Sequence, residues 1–155
     1  MEAVKEKGLS LQHVPIIFRT TELCLEAVKR QGFVLQLVPD EQKTAELCLE
    51  AMKKVGRRAL LFVPDTLLTA EFCLEAIKVD GAAIEFVPNE LKTAELCFEA
   101  VKSNGYAIIF IPSKLKTAKL CFEAVKHCDE LLEYVPDELK AQIMAELGKN
   151  LEQET

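Results

Sequence analysis

No stretch of this chain approaches the roughly 18–20 consecutive apolar residues that a bilayer-spanning helix needs. The opening residues 1–8, Met-Glu-Ala-Val-Lys-Glu-Lys-Gly, lack the apolar run of a secretory signal. The six glycines each stand alone, so no glycine-rich loop is present to cradle a phosphate. Basic residues are in the minority, 19 against 25 acidic, for a net charge of −6. Nucleic-acid affinity comes mostly from Lys and Arg neutralising phosphates, and anionic lipid makes the same demand, so neither is an expected partner. Only two histidines occur, and no His/Asp/Glu set recurs. We therefore expect no metal and no cofactor.

Against these absences stands a strict repetition. Proline falls at Pro15, Pro39, Pro64, Pro88, Pro112 and Pro136, in steps of 24, 25, 24, 24 and 24 residues. Cysteine keeps the same beat at Cys24, Cys48, Cys73, Cys97 and Cys121, as does glycine at Gly8, Gly32, Gly56, Gly81 and Gly105. A fixed period of about 20–50 residues is the mark of a stacked repeat array. Half of the 155 residues are hydrophobic and 28% are charged, a globular composition.

The columns of the repeat carry chemistry. Thr20, Thr44, Thr69, Thr93 and Thr117 each precede a helix-periodic apolar run and are natural N-caps. Glu22, Glu46, Glu71 and Glu95 follow two residues later, at the positive helix end. Gly32, Gly56, Gly81 and Gly105 come about twelve residues after the threonines, as left-handed helix-ending residues would. In the second copy Leu47, Cys48, Ala51, Met52 and Val55 form an apolar stripe that Ala45 and Leu49 widen, and Glu50 can pair with Lys54.

The second element of each copy, such as residues 83–91, is ambiguous. Its apolar spacing fits a short α- or 3-10 helix, whereas the β-branched residues and the proline also fit a short strand. The first reading gives an all-α, right-handed α-solenoid of about six helical-hairpin repeats. The second gives an α/β horseshoe like that of leucine-rich repeats. We read residues 1–155 as a single repeat domain, with 1–15 a partial first copy, 16–136 the repeats and 137–155 a capping helix. Ala3, Val4 and Lys5 align with Ala27, Val28 and Lys29, so the chain opens within a helix that is missing its threonine. That first copy is either a degenerate cap or a sign that the chain is a piece of a longer array. The third copy holds one extra residue between Gly56 and Pro64, beside the basic doublet Arg57-Arg58.

The recurring Leu-Lys-Thr-Ala-Glu-Leu-Cys-Phe-Glu-Ala-Val-Lys-Ser-Asn-Gly-Tyr-Ala-Ile-Ile-Phe-Ile-Pro of residues 91–112 resembles a bacterial short helical repeat family known only as a domain of unknown function. The resemblance covers roughly residues 2–140 and rests on the cysteine, glycine and Val-Pro columns recurring together. Unit length and helix content also resemble the leucine-rich repeat variant, which alternates α- and 3-10 helices. Both resemblances imply a bacterial α-solenoid, and neither brings a catalytic residue.

Stacked equivalent positions lie about 10 Å apart, too far for a disulfide or for shared zinc ligation, so the cysteines read as free, buried packing residues in a reducing cytoplasm. His127-Cys128 is the only adjacent His/Cys pair, and nothing around it signals an oxyanion site. The aromatic column Phe62, Phe86, Phe110 and Tyr134 reads as a spine. Two columns change character between copies: Gln12, Gln36, Leu61, Glu85, Ile109 and Glu133 three residues before each proline, and Leu9, Phe33, Arg58, Ala82, Tyr106 and Glu130 six before. Phe33, Arg58, Leu61, Tyr106 and Ile109 are the candidate partner-binding residues, the alternative being that they are buried between copies. The expected function is a non-catalytic scaffold for a protein or peptide partner. The alternative is a structural module, monomeric or weakly self-associating, whose end repeats stack with other copies.

Overall fold

Each copy folds because a threonine starts one helix and a proline stops the next. The computed structural model describes residues 7–153, with side chains over 7–148. The helix expected around Ala3, Val4 and Lys5 lies outside them. Five α-helices repeat: α1 (Thr21–Arg30), α2 (Ala45–Val55), α3 (Ala70–Val79), α4 (Ala94–Ser103) and α5 (Ala118–His127). A longer α6 (Asp137–Gln153) follows. At every repeating helix the threonine hydroxyl accepts from the amide three residues on, at 3.3, 3.2, 3.2, 3.1 and 3.3 Å from Thr20 to Thr117. Each bond satisfies one of the four amides that a helix start leaves open.

The Val-Pro element is a 3-10 helix in every copy: Gly8–His13, Gly32–Leu37, Gly56–Phe62, Gly81–Phe86, Gly105–Phe110 and Asp129–Tyr134. No strand occurs among the described residues, so the horseshoe alternative falls. After the prolines at 15, 39, 64, 88 and 112 comes a single 3-10 turn, such as Ile16–Phe18 or Ser113–Leu115, and after Pro136 comes α6. Runs of 3-10 longer than three or four residues are uncommon. Here the pre-proline residue leaves the helical region, with Val87 at φ −74° and ψ 128°, which ends each run.

Contacts cluster the chain into two units, Met1–Val79 and Asp80–Thr155. In the first, α1, α2 and α3 pack in series and so do the 3-10 helices at 8–13, 32–37 and 56–62. In the second, α4, α5 and α6 pack in series, as do 81–86, 105–110 and 129–134. The 3-10 helix 32–37 packs on both α1 and α2, and 105–110 on both α4 and α5.

The core is one pattern written five times. Leu23, Cys24, Ala27 and Val28 are buried in α1, and the same four positions in α2 to α5. Val55 and Leu49 of the expected α2 stripe are only half-buried, and Ala45 is exposed in the first turn. The five column cysteines are free and buried; Cys128 is half-buried. Burial pushes the Cys48 thiol up to about 11 against the Lys43 charge, and raises Cys24, Cys73, Cys97 and Cys121 as well.

The glycines do a different job from the expected one. Among the described residues only Gly56 has positive φ, 66° with ψ −158°, a region open to glycine alone. It joins α2 directly to its 3-10 helix, which absorbs the extra residue of that copy. Gly8, Gly32, Gly81 and Gly105 sit where the next helix comes close, and Gly148 has open space around it. A Cβ on Gly32 would lie 2.8 Å from the Ala51 carbonyl oxygen, one on Gly8 2.5 Å from that of Ala27, and one on Gly81 would strike that of Ala100. No helix of the described residues is long and apolar enough to cross a membrane.

Candidate interaction surface

A 3-10 helix turns in three residues, so side chains at i and i+3 eclipse and each helix has three rows. The row four and one residues before proline is in the core, as with Leu35 and Val38 or Ile108 and Ile111. The row five and two before is buried then half-buried, as with Ala107 and Phe110. Tyr134 departs from this spine and is 38% exposed. The third row, six and three before, points outward and is the one whose residues vary.

The sequence candidates lie on that row. Phe33 is 49% exposed, Leu61 64%, Tyr106 49% and Ile109 40%, and Arg58 is exposed too. In the first unit Phe33 is followed one turn on by Gln36, and Arg58 by Leu61, so the face is mixed. In the second unit Ala82 is buried, Tyr106 and Ile109 form an apolar pair, and Glu130 and Glu133 occupy the next copy. The Tyr106 hydroxyl lies 3.8 Å from Cys128 Sγ. That contact first, then the Glu130 and Tyr134 charges, hold the phenol above its usual range. Beyond Tyr134 an open depression of about 430 Å³ is lined by Ser113, Glu133, Tyr134, Asp137, Glu138 and Lys140, among others.

Ion pairs line the repeating helices. Glu26–Lys29, Glu50–Lys53, Glu75–Lys78, Glu99–Lys102 and Glu123–Lys126 pair at i,i+3 along α1 to α5. Glu50 thus pairs with Lys53, not with Lys54 as its spacing suggested. The exposure of these pairs makes each worth little to stability.

A second cationic column went unread in the sequence, four residues after the prolines. Lys92 Nζ donates to the Phe110 carbonyl at 3.0 Å and Lys116 Nζ to that of Tyr134 at 2.8 Å. Arg19 donates to the carbonyls of Val14 and Leu37, at 2.9 and 2.5 Å. These cations close the carbonyl-rich end of a 3-10 helix in the next copy. Lys43 pairs instead with Asp40 at 2.7 Å, and Leu68 takes the third-copy position. Also unread were Ile16, Ile17 and Phe18, exposed at 66%, 83% and 63%. Their signal was a break in the column: the same turn is Asp-Glu-Gln at 40–42 and Asn-Glu-Leu at 89–91.

Among the described residues no cluster of three or more His, Cys, Asp or Glu side chains could hold a metal ion. His127 and Cys128 are exposed and half-buried, respectively, at the end of α5. No curated protein and no solved structure matches the chain. A family model described as Domain of unknown function (DUF4116) matches it three times, over residues 1–43, 44–92 and 69–116. Those matches span most of the chain and fall on the repeating copies, so the protein belongs to this repeat family.

Proposed function

We propose that the chain is a non-catalytic scaffold for binding another protein or peptide, a right-handed α-solenoid of about six 24-residue copies working in the bacterial cytoplasm. The observation that carries this is the outward row of the 3-10 helices. Apart from the buried Ala82 its side chains are exposed, and it carries large apolar groups in each unit, Phe33 and Leu61 in the first and Tyr106 and Ile109 in the second. Exposed apolar side chains gathered on one row are what binding surfaces use. The test replaces Tyr106 and Ile109 together by serine. The melting temperature should stay within a degree or two, while polypeptides retained by the immobilised wild type are lost. Collapse of stability with unchanged retention would show that the row belongs to the core.

A second reading, self-association, is favoured by the exposed Ile16, Ile17 and Phe18. Light scattering over a concentration series separates the two. A mass that rises with concentration, and returns to monomer in the Ile17→Ser/Phe18→Ser variant, supports assembly.

A further inference from the structure

The second unit's outward row has a polarity that specifies what docks there. Tyr106 and Ile109 stand one 3-10 turn apart and both are exposed. In the following copy Glu130 and Glu133 occupy the equivalent positions, with Tyr134 exposed beside them. Glu130 and Glu133 are exposed and, among the described residues, make no hydrogen bond or ion pair, and neither do Asp129 and Glu138. Residues 129–138 hold five carboxylates and no cation. The neighbouring cations are already engaged, Lys140 with Asp137 at 2.7 Å and Lys116 with the Tyr134 carbonyl at 2.8 Å. This contrasts with α4 and α5, where Glu99 and Glu123 have lysine partners.

We propose that this face, Tyr106 and Ile109 with Glu130, Glu133 and Glu138 beside them, docks a basic segment of a partner protein that carries one large apolar side chain. The proposal rests on the scaffold reading and adds the partner's chemistry. The apolar side chain covers Tyr106, Ile109 and the edge of Tyr134. The partner's Lys or Arg residues meet carboxylates that no described cation pairs with, so opposite charge steers the encounter and sets its direction. Stacked helices lie about 8–10 Å apart, and a partner chain in the polyproline II conformation advances about 3.1 Å per residue and turns every third side chain to one side. The apolar anchor and the nearest basic residue of the partner are therefore about three residues apart.

The experiment pans the full chain against random 12-residue peptides displayed on phage. Enriched sequences are made as fluorescent peptides and their binding is followed by anisotropy. The expected result is enrichment of peptides with Lys or Arg about three residues from a Leu, Phe or Trp. Their affinity should fall at least tenfold in Glu130→Lys/Glu133→Lys, at least fivefold in Tyr106→Ser/Ile109→Ser, and not at all in Glu75→Gln, on α3 and away from the outward row. Should a double variant not fold, Glu133→Gln and Ile109→Ser alone carry the test, with falls of about threefold. Enriched peptides lacking basic residues, or indifferent to both pairs of substitutions, overturn this assignment and leave the scaffold reading standing. Equal binding when the apolar residue is replaced by glycine overturns the anchor. No enrichment over the uncoated control overturns both.

Discussion

Single side chains set the boundaries of every copy, and their chemistry decides how much each one matters. Thr93 supplies the first turn of α4 with a hydroxyl acceptor 3.1 Å from the Leu96 amide. Thr93→Ala should lower unfolding free energy by about 1 kcal/mol, and Thr93→Ser should restore most of it, as read by urea denaturation. Gly81→Ala should be worse, because the new methyl meets the Ala100 carbonyl, which belongs to a helix backbone and yields little. Cys48 links stability to pH. Its folded thiol keeps its proton up to about 11, against a usual 9.0. Above pH 9 the unfolded thiol ionises first, so the unfolded state gains and the stability fully present below pH 9 is lost as pH rises towards 11. The denaturation midpoint should fall across that window, and less steeply in Cys48→Ala.

At the scale of elements, the helix starts could be read from the residues because a cap is a local bond, made within three positions of the threonine. The 3-10 assignment could not, since Ile108, Ile109 and Ile111 before a proline suit a strand as well as a tight helix. The role of the glycines was also hidden, because Gly32 is required by Ala51 of the following copy and not by its own turn. The same holds for Lys92 and Lys116, whose targets lie 18 residues away. The outward row was visible as a variable column, but its exposure followed only from the three-residue turn. Lys116→Met tests the cation column. It should leave α5 intact and remove the bond to the Tyr134 carbonyl, speeding amide exchange of Val135 and Leu131 severalfold, with a loss of about 0.5–1.5 kcal/mol.

At the scale of the whole molecule, contacts cluster into two units that meet in the chain at Val79 and Asp80, and within each unit the helices pack on their sequence neighbours in series. Stability in such a chain is close to a sum of copies and nearest-neighbour interfaces. Hydrogen exchange under rising denaturant should therefore show groups of amides opening at different free energies, and a single shared opening energy for residues 21–134 would contradict it. The three-residue turn has a further consequence. Of the six residues in a typical 3-10 helix, two stand on the outward row, where most side chains are exposed. If the scaffold proposal holds, rewriting an exposed pair in one copy would alter what that copy binds at little cost to the core. Each 24-residue module would then serve as a cassette, with a new specificity composed two letters at a time.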